Sequence, residues 1–238
     1  AHRVSRSMGG NVTLFIFLGL LSAFMVLPLV FVVVNAFKPL NELFVFPPKF
    51  YVINPTLNNF RQLFQIMNGA WMPFSRYLFN TVAITLIGTI GHILLASLCA
   101  YSLSKIPFPG AGAVFQVIVL SLMFSPVATT VPTYIIMSKI GLVDTLWAVI
   151  LPALQSSLGL YLIKQFLDTL PDTLLEAARI DGAGEMRLFF RIVMPNLKPA
   201  WLTLGILSIQ SLWNIVSPYT YSEELKTLPQ ALSQIVSA

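Results

Sequence analysis

The chain has 238 residues, 56% of them hydrophobic and only 10% charged, with a formal net charge of +5. Ordinary soluble domains carry roughly 25% charged residues, so this composition excludes one and indicates a membrane protein. The single cysteine excludes an internal disulfide. Basic residues are scattered, without the basic patch of a nucleic-acid binder, and the absence of Gly-Lys-Ser or Gly-Lys-Thr excludes a phosphate loop. The chain is therefore expected to be no enzyme and no ATPase by itself.

A run of about 18 or more apolar residues reads as a spanning helix. Five charge-free runs meet that length, giving expected spans at 11–37, 77–104, 112–138, 142–163 and 199–222. Transmembrane β-barrels are excluded, because their strands alternate in polarity over about ten residues and these runs are continuously apolar. The first run is too long for the 7–15-residue core of a signal peptide and is read as an uncleaved span. The expected fold class is an all-α polytopic membrane protein forming a single transmembrane domain over 1–238.

Placing Arg3 and Arg6 in the cytoplasm follows the positive-inside rule. Eight of the fourteen basic residues, Arg3, Arg6, Lys105, Lys164, Arg179, Arg187, Arg191 and Lys198, then fall on the inner side. A loop over 38–76 follows the first span on the outer side, punctuated by Pro39, Pro47, Pro48 and Pro55. Extended backbone is expected there until Thr56, where a short helix opens. The loop is either a docking surface or a cap over helix ends.

In the second span, Cys99 is expected to be a small buried hydrophobe. His2 and His92 form no cluster with other ligand types, so no metal is assigned. The third span contains Pro126 and Pro132, which should kink it, with Ser125, Thr129, Thr130 and Thr133 beside the kink. Such a helix is either a pathway wall or an ordinary structural bend. No Asp, Glu, Lys or Arg lies mid-span, which argues against proton coupling through intramembrane charges.

The segment 171–195 is charged and polar between two apolar runs. Thr173 and Glu176 have the three-residue spacing of a capping box, Ala177 and Ala178 favour helix, and Gly182 is suited to close it in the left-handed region. A second amphipathic helix is expected from about Glu185 to Val193, with Met186, Phe189, Phe190 and Val193 on its apolar face. An interfacial linker would need neither the capping box nor the Asp-Gly-Ala turn. A docking element would need both.

Glu176-Ala177-Ala178, Asp181-Gly182-Ala183, Phe189, Ile192, Pro195 and Pro199 resemble the EAA signature of permease subunits in binding-protein-dependent ABC importers; Met194 stands where leucine is usual. The stretches FKPLNELFVFPPKF, NPTLNNF, VPTYIIMSKIGLVDTLWAVILP and Trp213-Asn214 with Pro218 resemble the smaller, carbohydrate-type permease of maltose-type systems, so the likeness covers nearly the whole chain. The resemblance implies a cytoplasmic coupling helix between the fourth and fifth spans, contacting an ATPase through Glu176, Ala177, Ala178, Asp181, Gly182 and Ala183. It further implies a second homologous permease, two ATPase subunits that bind ATP and Mg, and an external solute-binding lipoprotein, in a bacterial or archaeal cytoplasmic membrane. Six spans are usual in such subunits, and a sixth is expected beyond Ala238.

For the solute, a sugar or oligosaccharide, Trp213, Asn214, Gln155, Ser156 and Tyr161 combine stacking surface with hydrogen-bonding groups. Ordinary helix packing explains each of them equally simply. The alternatives are an importer for a non-sugar solute and a secondary transporter.

Overall fold

The computed structural model describes residues 8–69 and 72–237. Among them are thirteen α-helices, one π turn, one 3-10 turn and no strand, giving the expected all-α fold. By its contacts the chain divides into two compact units, 1–70 and 71–238. The first holds α1 (Met8–Ala36), whose apolar window is 0% buried.

The loop after α1 is folded rather than limp. Lys38 is buried; its Nζ donates to Asn35 Oδ1 at 2.9 Å and to the Lys49 carbonyl, and lies 5.7 Å from the Phe31 ring centre. Asn59 Nδ2 donates to the carbonyls of Ala36 and Lys38 at 3.0 and 2.7 Å, closing the end of α1. After α2 (Leu40–Leu43), the Glu42 carboxylate accepts from the backbone N–H groups of Ile53 and Asn54. The helix expected near Thr56 is α3 (Asn58–Gly69).

The second unit is organised by α4 (Phe74–Lys105), 32 residues without a proline, or ~48 Å at 1.5 Å per residue. Ile84, Gly88, His92, Ala96 and Ala100 lie on one row four residues apart and are buried. Packed against α4 are α7 (Trp147–Leu154), α8 (Ser157–Asp168) and α12 (Lys198–Trp213).

The expected kinked third span is two helices, α5 (Ala111–Ser121) and α6 (Pro126–Lys139). Proline disfavours helical backbone in the residue before it. Ser125 is accordingly extended, and its hydroxyl accepts from Val127 N–H as the cap of a new helix. The fourth span is also interrupted: Gln155 and Ser156 are extended between α7 and α8, and Ser156 Oγ accepts from Gly159 N–H at 3.2 Å.

The charged segment holds α9 (Asp172–Ile180), α10 (Glu185–Leu188), a π turn at Phe189–Val193 and α11 (Met194–Asn196). The fifth span was expected to reach 222, but α12 stops at Trp213, where Asn214 Nδ2 donates back to the Gln210 carbonyl. After a 3-10 turn at Glu223–Leu225, α13 (Leu228–Ser237) packs on α4.

Among the described residues, three stretches are long and apolar enough to cross a membrane: Gly10–Ala36, Phe74–Lys105 and Trp147–Asp168. The bent pair Glu185–Asn196 and Lys198–Trp213, at 78°, counts as a fourth if it is one span. The expected runs at 112–138 and 199–222 are not single helices of that length, because of the breaks at 122–125 and 214.

Candidate functional site

Pro171 sets the start of the charged segment. Its extended backbone precedes α9, whose first residue is Asp172. The expected capping box does not form, because Thr173 is already inside the helix and no side chain caps it. Asp172 instead binds Lys105 Nζ at 2.7 Å, and the same ammonium donates to the Leu170 carbonyl at 2.7 Å. That pair fastens the start of α9 to the end of α4.

At the other end, Gly182 has φ +79, in the left-handed region that glycine enters without steric cost. Its N–H donates to the Arg179 carbonyl and that of Ala183 to the Ala178 carbonyl, both at 3.0 Å, so the orphaned carbonyls of α9 are satisfied. Around this turn Ala178 and Ala183 are half-buried, whereas Glu176, Ala177, Asp181 and Gly182 are exposed. Ile180, which the sequence reading did not single out, is 86% exposed.

The second helix differs from expectation. Leu188, Phe189 and Val193 are buried, while Met186 and Phe190 face outward. Leu188 and Val193 are five apart, the hydrogen-bond spacing of the π turn that occupies Phe189–Val193.

Glu185 joins three elements. Tyr101 Oη, at the end of α4, donates to Glu185 Oε2, and Arg179 Nε of α9 donates to Glu185 Oε1 at 2.8 Å. The Phe189 ring lies 5.7 Å from that of Tyr101, within a core that also includes Ala100, Ile163, Leu167 and Leu175. The hydrogen bond from Arg179, then that from Tyr101, hold the Glu185 carboxyl below the usual carboxylate range.

Because its folded pKa is lowered, the contribution of Glu185 is present above the pKa of a free glutamate, about 4.3. It is lost only as pH falls through the lower folded value. An NMR titration of Glu185 should therefore show a midpoint below that of a free glutamate, and Arg179→Gln should move it upward. An unmoved midpoint would discard Arg179 as the cause.

Beside α9 lies a groove of about 630 Å³ with Asp172, Glu176 and Arg179 along it and Ile106, Pro107 and Phe108 opposite. A second cavity, of about 690 Å³, opens among α4, α6, the α7–α8 break, α12 and residues 215–219. Gln155 and Ser156 line it, as do Thr129, Thr130 and Thr133 from the proline-broken third run. His92, Ser208, Ser211, Ser217 and Tyr219 also line it, and none of these five has a role assigned from the sequence.

Trp213, Asn214 and Tyr161 are not in that lining. Trp213 and Asn214 sit exposed at the end of α12. Tyr161 stacks on Phe115, with ring centres 6.1 Å apart, and joins α8 to α5. Cys99, expected in the core, is exposed on the surface of α4.

Residues 93–217, from the middle of α4 to just beyond α12, match the family described as the binding-protein-dependent transport system inner membrane component. The chain belongs to this family. As an inner membrane component it is 31% identical over 204 residues to Protein LplC of Bacillus subtilis, covering 84% of this chain and 65% of that protein. It is 32% identical over 200 residues to the polygalacturonan/rhamnogalacturonan transport system permease protein YtcP of Bacillus subtilis, covering 83% of this chain and 67% of that one. The chain thus spans about two thirds of the length of these relatives. In fold it resembles a chain of a bacterial ABC transporter involved in the import of the acidic polysaccharide alginate, with a TM-score of 0.80 and 19% identity over 96% of this chain and 81% of that one.

Proposed function

We propose that this inner membrane component is a permease subunit of an ATP-driven importer for a sugar or oligosaccharide. The segment 171–195 receives the motion of a partner ATPase in the cytoplasm, and the α4–α12 cavity is part of the solute path. One observation carries the reading: the Gly182 turn exposes Glu176, Ala177 and Asp181, while Glu185 links the same segment to Tyr101 of α4. A force on the outer face thereby has a direct route into the central helix. Lipid headgroup binding would need no such link.

The remaining parts of the machine are a second permease, two ATPase subunits that hold ATP and Mg, and an external solute-binding lipoprotein. With the segment 171–195 in the cytoplasm, the N-terminus lies there too and the folded loop 38–69 faces outside. The solute class is supported by the transport names of YtcP and of the alginate importer. Gln155 and Ser156 are the pathway residues this reading retains, since the cavity gathers them with the hydroxyls of α6. A differential contact between two states of the ATPase, passed through α9 to α4, would alternate access to the cavity.

The test is crosslinking from Ala177→Cys in a Cys99→Ser background, against a co-expressed ATPase subunit in native membranes. An ATP-dependent crosslink to that subunit is the expected result. With the ATPase present and folded, a crosslink only to lipid-linked probes would return the segment to an interfacial linker and favour a secondary transporter.

A further inference from the structure

The buried face of α4 carries several polar atoms without partners among the described residues: Thr85 Oγ1, Thr89 Oγ1, His92 Nε2 and Ser97 Oγ. The hydroxyls have a ready remedy, since a serine or threonine on a helix reaches the carbonyl one turn back with a small rotation. His92 has none. Its Nδ1 is fixed to Ser208 Oγ of α12 at 2.7 Å, and the residue is only 5% exposed.

Nε2 lies where α8 lacks a side chain. A Cβ on Gly159 would come within 2.2 Å of it, so the imidazole fills the space that any other residue would occupy. His92, Ser208 and Gly159 all line the cavity of about 690 Å³, together with Gln155, Ser156 and Ser211. A buried ring nitrogen left unpaired is costly, and the cavity that His92 lines gives room for a partner once α8 no longer covers Nε2.

We propose that His92 is a solute-binding residue whose Nε2 hydrogen-bonds a hydroxyl of a polyhydroxylated solute. In the present conformation α8 covers Nε2 at Gly159. Withdrawal of α8 from α4 at Gly159 would uncover the nitrogen to the cavity.

The chemistry of the pair selects a hydroxyl. If Ser208 donates to Nδ1, Nε2 carries the proton and donates; if Nδ1 donates to Ser208, Nε2 accepts. A hydroxyl satisfies either tautomer, whereas an ammonium or a carboxylate satisfies one. Ser208 acts as a positioning residue by fixing the ring. The inference rests on the sugar-importer reading and adds to it a residue and the kind of group it holds.

Asparagine and glutamine separate the two ring nitrogens. The amide of His92→Asn falls near Nδ1 and keeps the Ser208 bond without any group at Nε2; the amide of His92→Gln reaches the Nε2 position. The whole transporter, in proteoliposomes with its ATPase and binding protein, is assayed for uptake of labelled dimers of galacturonic acid, arabinose and glucose. Whichever dimer the unsubstituted transporter carries is then used with both variants, and thermal unfolding is followed in parallel.

A site built to bond a hydroxyl loses heavily when that bond is removed. We expect His92→Asn to raise KM at least about tenfold, an effect of about 1.4 kcal/mol, and His92→Gln to stay within about threefold of the unsubstituted transporter. An unchanged KM in His92→Asn overturns the proposal. So does equal impairment of both variants, which would make His92 a packing residue. If the unsubstituted transporter carries none of the three dimers, the sugar reading fails and this inference fails with it.

Discussion

Replacing Gly182 with valine should abolish solute uptake while the ATPase subunits continue to hydrolyse ATP. The residue sits at φ +79 in the turn between α9 and α10, and a Cβ there would meet nothing within 4 Å. Any effect of a side chain is therefore a backbone effect and not a clash. For an L-residue the left-handed conformation costs roughly 1–2 kcal/mol, and a β-branched one is a marked outlier there. About 2 kcal/mol shifts a two-state equilibrium by roughly 30-fold.

The turn would reopen at that cost, releasing the hydrogen bonds from Gly182 and Ala183 to the carbonyls of Arg179 and Ala178 and loosening the hold of Arg179 on Glu185. Asparagine tolerates the left-handed region by bonding locally, so Gly182→Asn should retain most of the uptake. Uptake and hydrolysis measured together in proteoliposomes decide the matter. Valine that transports as well as asparagine would show that the turn does not transmit force.

Features that depend on local chemistry were legible in the sequence. The apolar runs, the left-handed Gly182 and the helix that opens after Thr56 follow from side-chain type and near neighbours alone. Features that depend on distant partners were not. Thr173 and Glu176 have capping-box spacing, yet Pro171 fixes the helix start two residues earlier, and Asp172 is held by Lys105, 67 residues away in the chain.

The π turn at Phe189–Val193 is a register set by what Leu188, Phe189 and Val193 pack against, and a 3.6-residue period could not announce it. Proline gave the right place for a change at 126 and the wrong size, because α5 already ends at Ser121 and the extended Ser125 caps a new helix rather than bending a single one. Cys99 faces out although its neighbours Ala96 and Ala100 are core; on α4 polar residues such as Thr85, Thr89, His92 and Ser97 lie inward and large apolar ones outward, the reverse of a helix in water. His92 was judged as a metal ligand and set aside. Its partner Ser208 is 116 residues away, and only the packing of α4 on α12 brings them together.

Gly159→Ala should destabilise the second unit more than its one added carbon suggests. The new Cβ would lie 2.2 Å from His92 Nε2, 2.8 Å from Cε1 and 3.0 Å from Leu204 Cδ1. Leu204 can yield by a change of rotamer, but the imidazole is tethered to Ser208 and enclosed between α4 and α12. Either that hydrogen bond breaks or α8 moves off α4, and overpacking of this kind costs about 1–3 kcal/mol. In a unit of this size each kcal/mol lowers Tm by about 2–4 °C.

The cause can be isolated by removing the ring. In a His92→Ala background the space opposite Gly159 is vacated, so adding Gly159→Ala should cost little or nothing. The double-mutant cycle should then return a coupling energy of at least about 1 kcal/mol. Strictly additive losses in Tm would show that α8 accommodates the methyl without reference to His92. The close approach of the ring to Gly159 would then have no energetic part in holding α8 against α4.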